Sequence, residues 1–173
     1  MPDHYYTQTP TSAHKPGQVD FLWRGAKLVF ETDSGVFSRT EIDKGTEILL
    51  NALPEELTGS LLDMGCGYGV IGVTLGKRYP GLSVVMSDVN ERAVELSRRN
   101  AQRNGVPARV MQSDGYADVP FQRMDWIVQN PPIRAGKSVI YAMFAEGARR
   151  LEPSGELWLV IRKQQGAESA VRY

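Results

Sequence analysis

The chain has 173 residues, of which 42% are hydrophobic and 23% are charged. This length suits one domain that buries a core without the help of disulfides or metals. Its 20 basic and 20 acidic residues balance, so no overall basic field marks a nucleic-acid partner, and any RNA contact has to rest on a local patch. The single cysteine forms no internal disulfide, and the sequence shows neither a signal peptide nor an apolar run of membrane-spanning length. We therefore expect a cytoplasmic protein.

The N-terminal part of the chain predicts an arm followed by a hairpin. Residues 1–17 are polar and contain three prolines, so we expect a flexible arm before a single domain over residues 18–173. Two β-rich runs at residues 19–23 and 27–31, separated by Arg24-Gly25-Ala26, predict a β-hairpin. Asp43 is expected to cap a helix that runs through Leu53.

From residue 60 onward, strands and helices alternate. Strands are predicted near residues 60–64, 83–87, 109–112, 125–129 and 155–161, and helices near 70–79, 91–104 and 139–151. This alternation predicts an α/β fold with a doubly wound, mostly parallel sheet, in which ligands bind at the carboxyl ends of the strands. Residues 167–173 resemble a helix that is cut short.

The first predicted parallel strand runs directly into a glycine-rich turn. Asp63 precedes Gly65, Gly67 and Gly69, and a helical apolar pattern follows. Glycines at these places allow positive φ and a close approach of ligand, while the first amides of the helix are available as donors. A dinucleotide-binding turn needs its third glycine at position 70, which is Val70, so the nicotinamide interpretation loses support.

Two acidic residues follow the next strands. Asp88 comes about twenty residues after the glycine turn, where a carboxylate accepts hydrogen bonds from ribose hydroxyls of either NAD or S-adenosylmethionine. The alternative is an N-cap for the helix that follows Asn90. Asp114 suits the exocyclic amine of an adenine, although an aspartate before Gly115 is also typical of a plain turn.

The most informative motif is Asn130-Pro131-Pro132-Ile133, which follows an apolar strand. Consecutive prolines fix φ and remove two amide donors, leaving as acceptors the Asn130 amide oxygen and the Pro131 carbonyl. Two acceptors that hold a planar NH2 group favour a pyramidal nitrogen with its lone pair directed at a methyl donor. Positioning and polarisation then carry the catalysis without a strong general base. The alternative, a Pro-Pro turn that only ends the strand, leaves the asparagine unexplained.

Together these motifs resemble a known family. The D-x-G-x-G-x-G turn, Asp88, Asp114 and Asn130-Pro131-Pro132 are similar to the class I S-adenosylmethionine-dependent amino-methyltransferases, which have a Rossmann-like fold. The stretch at residues 32–38 and the run Asn-Pro-Pro-Ile-Arg-Ala-Gly narrow the resemblance to the RsmC-type methyltransferase small domain. Its characterised members methylate the exocyclic N2 amine of guanine in 16S ribosomal RNA. In the class I sheet one more helix and an antiparallel strand pair normally follow, so the C-terminal strands are expected to be truncated here.

The resemblance implies a role for each matching residue. Cofactor contacts are implied for Asp63, Gly65, Gly67, Gly69, Asp88, Val89, Asp114, Gly115 and Asn130. Catalysis is implied for Asn130, Pro131 and Pro132, which hold the target amine. Where many relatives have a stacking Tyr or Phe this chain has Ile133, so the stacking partner is expected to be Phe37 or Tyr68. Arg134 and Lys137 follow Ile133 at the predicted mouth of the site and are expected to contact phosphates. The expected substrate contacts are thus Phe37, Tyr68, Ile133, Arg134 and Lys137.

The leading hypothesis is therefore a guanine-N2 methyltransferase that uses S-adenosylmethionine, releases S-adenosylhomocysteine and acts on ribosomal RNA or a small-subunit particle. Two alternatives stay open: a protein glutamine N5-methyltransferase of HemK type, against which Ile133 counts, and a non-catalytic cofactor-binding module. No metal is expected, because His4 and His14 lack metal-ligand spacing. No membrane partner is expected, and the oligomeric state is left open.

Overall fold

The computed structural model describes residues 7–171 of the chain. Its helices and strands are β1 (Gly17–Trp23), β2 (Ala26–Thr32), α1 (Lys44–Ala52), β3 (Ser60–Met64), α2 (Val70–Arg78), β4 (Ser83–Asp88), α3 (Glu91–Arg103), β5 (Ala108–Gln112), β6 (Met124–Gln129), α4 (Lys137–Arg149), β7 (Leu151–Leu159) and α5 (Ala167–Val171). Short 3₁₀ turns occupy Ile133–Ala135 and Lys163–Gln165. Residues 1–6 of the predicted arm lie outside the described residues. So do residues 172–173 of the predicted last helix.

A parallel sheet forms the centre of the domain. Its five strands lie in the order β5-β4-β3-β6-β7, and every neighbouring pair is parallel. The chain leaves β3 toward β4 on one side and later returns to β6 on the other, so the strand order reverses at β3. In such sheets the crevice beside the reversal, at the carboxyl ends of the strands, is the usual place for a ligand.

Both faces of the sheet are covered, as the apolar β3 sequence requires. Neighbouring residues of a strand point to opposite faces, and here Leu61 belongs to one hydrophobic cluster and Leu62 to the other. The first cluster also contains Phe30 of the antiparallel hairpin β1–β2, which packs on α2 and α3. The second includes Met143 of α4. The hairpin is therefore part of the hydrophobic core of this domain.

The predicted α/β fold with its N-terminal hairpin is confirmed, and the differences lie after β6. Helix α4 begins at Lys137, two residues before the predicted start, directly after Gly136 with φ of +98°. Strand β7 begins at Leu151, although it contains Pro153 and Gly155. Its pairing with β6 is irregular between Met124 and Trp126, and β7 is an edge strand, where proline is tolerated.

Within residues 7–171, no helix is long and apolar enough to cross a membrane. The same part of the chain contains no group of three or more His, Cys, Asp or Glu side chains placed to hold a metal ion.

Candidate active site

A cavity of about 430 Å³ opens where the strand order reverses, at the carboxyl ends of the parallel strands. Most of the residues predicted to bind cofactor or substrate line it: Phe37, Gly65, Gly67, Tyr68, Asp88, Val89, Asp114, Gly115, Asn130, Pro131 and Pro132. The structure thus gathers side chains from four strand ends and from the segment before α1. Five predicted residues do not line it: Asp63, Gly69, Ile133, Arg134 and Lys137.

The glycine turn has an open surface toward the cavity. A Cβ atom built on Gly65 or Gly67 meets no atom within 4 Å, and both residues have positive φ, +70° and +57°. Only glycine combines this conformation with space for a ligand to reach the backbone. Gly69 differs, because a Cβ there would lie 3.1 Å from Ser97 Oγ of α3. Gly69 therefore serves helix packing rather than lining the cavity.

The backbone amides of this turn are largely used within the protein. Gly65 N and Cys66 N both donate to the Ser87 carbonyl, at 2.8 and 3.0 Å, and Gly67 N donates to Asp88 Oδ2 at 2.8 Å. Gly69 N donates to the Cys66 carbonyl at 2.9 Å. These bonds link the turn to β4 and hold its shape without a ligand.

Asp63 lies beneath α2 instead of facing the cavity. It is fully buried, and its Oδ2 accepts a hydrogen bond from Gly72 N at 2.8 Å. Burial, with a smaller contribution from the nearby Asp88 charge, raises the pKa of Asp63 to about 7 against the lowering effect of the Gly72 bond. The side chain joins strand to helix, so its position in the structure is that of a support beneath the turn.

Asp88 is fixed at the end of β4 with its carboxylate on the cavity wall. Oδ2 accepts from Gly67 N and Oδ1 accepts from Asn90 N at 2.9 Å. Burial raises the pKa of Asp88 to about 6, although these amide bonds oppose the shift. The alternative cap role belongs to Asn90, whose side chain accepts from Ala93 N at 3.1 Å. Asp88 is therefore not the cap of α3, and its carboxylate borders the cavity.

Asp114 lines the cavity from the segment after β5. Its side chain is exposed and, among residues 7–171, its carboxylate accepts no hydrogen bond. The loop is held by its neighbours, since Ser113 N donates to the Asp88 carbonyl at 2.9 Å and Ser113 Oγ to the Gly115 carbonyl at 2.9 Å. A free carboxylate on a fixed loop suits an amine donor from a ligand.

The Asn130-Pro131-Pro132 segment presents acceptors to the cavity. Asn130 Nδ2 lies 3.1 Å from both Asp43 Oδ2 and Thr46 Oγ1, so the amide donors are directed into the protein. Among the described residues, neither Asn130 Oδ1 nor the Pro131 carbonyl accepts a hydrogen bond, whereas the Pro132 carbonyl accepts from Ala135 N at 2.8 Å. Two free acceptors therefore border the space where a ligand amine would sit.

Comparison with known proteins places this architecture in a family. The family model described as "Methyltransferase small domain" matches residues 27–173. The chain belongs to this family. It is 45% identical to the uncharacterized protein YbxB of Bacillus subtilis, over 99% of this chain and 87% of that protein. It is 42% identical to ribosomal RNA small subunit methyltransferase C of Hahella chejuensis, over 91% of this chain and 49% of that protein.

A solved structure gives a closer view of this methyltransferase small domain. The T. thermophilus 16S rRNA N2 G1207 methyltransferase (RsmC), in complex with AdoMet and guanosine, superposes with a TM-score of 0.74 at 30% identity, over 86% of this chain and 42% of that one. The chain thus spans about half the length of the RsmC relatives that it matches. The predicted resemblance to the RsmC-type domain is confirmed, and the predicted cofactor is a ligand of that structure.

The aromatic residues predicted to contact substrate differ in exposure. Phe37 is 40% exposed at the cavity, whereas Tyr68 is only 3% exposed. The Tyr68 hydroxyl donates to the Ser38 carbonyl at 3.0 Å and its ring packs edge-on against Phe30. Burial raises the pKa of Tyr68, so this phenol stays protonated and holds the 37–38 segment in place. Phe37 is the more accessible surface for a flat ligand.

Three predicted substrate contacts that follow the proline pair, Ile133, Arg134 and Lys137, lie outside the cavity lining. Ile133 and Arg134 belong to the 3₁₀ turn, and Lys137 begins α4. Ile133 is half-buried, while Arg134 and Lys137 are exposed. Substrate contact by these side chains stays a prediction.

The N-terminal segment, residues 7–16, contributes to the candidate site in a way that the sequence did not suggest. Gln8 lines the cavity, and its carbonyl accepts from Glu91 N at 3.0 Å. Farther along, Asp33 accepts from Lys15 N at 2.6 Å and pairs with His14, while Arg92 Nη2 donates to the Ser12 carbonyl at 2.9 Å. These bonds hold the segment across the start of α3.

Asp43 and Thr46 also line the cavity, and the sequence did not predict them as site residues. The sequence correctly predicted Asp43 as a helix cap, and its Oδ2 accepts from Thr46 N at 3.1 Å. The contact with Asn130 spans 87 residues, and nothing in the local pattern indicates it.

Proposed function

We propose that this chain is an S-adenosylmethionine-dependent N-methyltransferase that acts on the exocyclic N2 amine of guanine in ribosomal RNA of the small subunit. Support comes from membership of the methyltransferase small domain family and from relatives named as ribosomal RNA small subunit methyltransferases. The observation that carries the proposal is the pair of free acceptors, Asn130 Oδ1 and the Pro131 carbonyl, on the wall of a cavity that suits this cofactor.

The residues of the cavity fit the cofactor. The open backbone at Gly65 and Gly67 would lie against the methionine part, Asp88 would accept the ribose hydroxyls, and Asp114 would accept the adenine amine. When bound, S-adenosylmethionine supplies an electrophilic methyl group on a sulfonium. The acidic side chains favour a ligand that is cationic and rich in donors.

Asn130 and Pro131 would hold the target NH2 group. A conjugated amine is a weak nucleophile because its lone pair is delocalised into the ring. Two fixed acceptors that take its two hydrogens favour a pyramidal nitrogen and orient its lone pair, which lowers the barrier by positioning and by electrostatics. As the nitrogen gains a fourth bond it would become acidic and would release one proton to the solvent. No general base of raised pKa is needed.

Flat, accessible Phe37 would stack on the base, with Arg134 and Lys137 placed for the phosphates of the chain around it. Arg134 and Lys137 lie two and five residues after Pro132 and are exposed. Because the chain has no net charge, any contact with RNA requires a local basic patch, and these two residues would provide one.

Incubation with tritium-labelled cofactor and small-subunit ribosomal RNA tests the proposal. We expect label in an RNase-sensitive fraction that digests to N2-methylguanosine. Asn130→Ala should lower kcat by about 10²–10³-fold, the scale for loss of one aligned polar group, with the Kd of S-adenosylhomocysteine unchanged. Gln122→Ala is a matched control, because this exposed amide precedes the opposite end of β6.

Three outcomes would contradict the proposal. Label found only in protein would favour glutamine methylation. Full activity in Asn130→Ala would remove the role of the acceptor pair, and absence of cofactor binding by the folded protein would remove the cavity assignment.

A further inference from the structure

Asp43 sits at a junction of three segments beside the proposed reaction centre. As N-cap of α1, its Oδ2 accepts from Thr46 N at 3.1 Å. The same Oδ2 lies 3.1 Å from Asn130 Nδ2, and Thr46 Oγ1 lies at the same distance from Nδ2. Arg162 Nη2, from the segment after β7, lies 3.5 Å from the other oxygen, Oδ1. The carboxylate is 13% exposed and Thr46 is buried, so Asn130 meets both partners in a largely dry environment.

These contacts decide which way the Asn130 amide faces. A planar amide presents donors on one side and an acceptor on the other, and a rotation by half a turn about its last bond exchanges them. Rotation here would bring Oδ1 against the Asp43 carboxylate, where two acceptors repel. The carboxylate therefore selects the orientation in which both donors point into the protein and Oδ1 stays available, and the Thr46 hydroxyl accepts from the amide in this orientation.

Helix capping alone does not require an aspartate. Serine, asparagine and aspartate cap helices about equally well, because each needs only one oxygen for the N3 amide. Serine, however, is one bond shorter and does not reach Asn130. In the ion pair of Arg162 with Asp43 the arginine side chain is 62% exposed, so the pair adds little stability. The pair uses Oδ1 and leaves Oδ2 to Asn130.

We propose that Asp43, with Thr46, is a positioning residue for catalysis: it orients the Asn130 amide so that Oδ1 accepts a hydrogen from the target amine. This inference rests on the proposed function for its kinetic consequence, but the orientation itself is a property of the free protein. Asp43 acts through Asn130 and needs no contact with the substrate.

Three substitutions of Asp43 separate positioning from capping. Asp43→Ser keeps a cap and loses the reach to Asn130, Asp43→Asn keeps both, and Asp43→Ala loses both. With small-subunit ribosomal RNA and saturating cofactor, we expect kcat to fall by up to ~10²-fold in Asp43→Ser, since misplacement by about 1 Å costs this much. Asp43→Asn should stay within about threefold, because a neutral acceptor still holds the amide. The Kd of S-adenosylhomocysteine should not change in either variant, and Tm should fall only in Asp43→Ala.

The side-chain amide of Asn130 gives a readout that does not need turnover. Its NH2 resonances in a ¹⁵N-labelled sample are identified by their absence from Asn130→Ala. We expect protected, well-separated protons in the wild-type protein and in Asp43→Asn, and fast solvent exchange in Asp43→Ser. Thr46→Val, which keeps shape but removes the second acceptor, should give an intermediate rate. In an Asn130→Ala background, Asp43→Ser should lower kcat no further.

Unchanged amide resonances in Asp43→Ser would overturn the inference. So would equal losses of kcat in Asp43→Ser and Asp43→Asn, because the carboxylate charge and not the orientation of Asn130 would then explain the loss. Losses that follow Tm would assign Asp43 to folding alone. If the wild-type protein methylates no ribosomal RNA, the proposed function fails, while the amide resonances still decide whether Asp43 orients Asn130.

Discussion

Cofactor binding should depend on pH through Asp88. This carboxylate lines the cavity, and burial raises its pKa to about 6 although Gly67 N and Asn90 N donate to it. Ribose hydroxyls that donate to Asp88 need its ionised form. Below pH 6 the free protein holds a proton that binding must displace, so the affinity falls as the pH falls.

The size of the effect follows from the pKa. At pH 5 about a tenth of Asp88 is ionised, so the Kd of S-adenosylhomocysteine should rise about tenfold relative to pH 8, which is ~1.4 kcal/mol. Asp88→Asn presents an NH2 group to one of the two backbone donors and loses a hydrogen bond there. Its Kd should be about tenfold higher than that of the wild type at pH 8, should not vary between pH 5 and 8, and should therefore approach the wild-type value near pH 5.

Calorimetry with S-adenosylhomocysteine across this pH range measures both quantities. Asp63→Asn is the control: the pKa of Asp63 is also raised, to about 7, but its carboxylate contacts Gly72 and lies outside the cavity lining. The dependence of Kd on pH near pH 6 should persist in Asp63→Asn. A flat wild-type profile, or a slope that disappears in Asp63→Asn but persists in Asp88→Asn, would refute the assignment of Asp88 to the ligand.

Three further predictions concern the support around the cavity. Because the pKa of Asp63 is raised by burial from 3.8 to about 7, the native protein binds the extra proton between these values, and stability falls as pH rises through that window. Asp63→Asn should therefore raise the free energy of unfolding at pH 8 by on the order of 4 kcal/mol at most, seen as a higher Tm in thermal melts, and should leave Tm unchanged near pH 4. Gly72→Ala should lower the free energy of unfolding by about 1–3 kcal/mol in urea titrations, because its Cβ would lie 2.6 Å from Met86 Sδ; an unchanged midpoint would show that the helix shifts freely. Asp33→Asn should loosen residues 7–16 and withdraw Gln8 from the cavity. We expect faster hydrogen exchange there and a Kd for S-adenosylhomocysteine about fivefold weaker, whereas exchange like that of the wild type would contradict this.

Local sequence patterns were sufficient to predict the sheet and the glycine turn. Strand β3 was predicted at its observed bounds because an apolar run ends at a glycine-rich turn, and such patterns depend only on neighbours in sequence. The same reasoning located Asn130 at a strand end, since two prolines cannot continue a parallel strand. Strand β7 was predicted to begin four residues late and to end two residues late, at 155–161, because the prediction did not extend the strand back across Pro153, which an edge strand accommodates.

The position of Asp63 was accessible from the sequence but was missed. Side chains alternate along a strand, so Asp63 shares a face with Leu61, and Met64 with Leu62. Leu61 packs in the hydrophobic cluster of α2, and Met64 lines the cavity. Contacts between distant segments could not be predicted in this way. The Asp43–Asn130 contact joins the start of α1 to the end of β6, and no local sequence pattern indicates that these two ends lie side by side.

The hydrogen bonds of the glycine turn favour a sulfonium cofactor over a dinucleotide. A pyrophosphate is held by free backbone amides at the start of a helix. Here Gly65, Cys66 and Gly67 donate to the Ser87 carbonyl and to Asp88, and Gly72 donates to Asp63. The cavity instead presents acceptors at both ends, with carboxylates on one side and the Asn-Pro-Pro oxygens on the other. Such a surface attracts amines, hydroxyls and a positive charge and repels phosphates. The absence of a glycine at position 70 and the use of these amides within the protein therefore both favour a sulfonium cofactor over a dinucleotide.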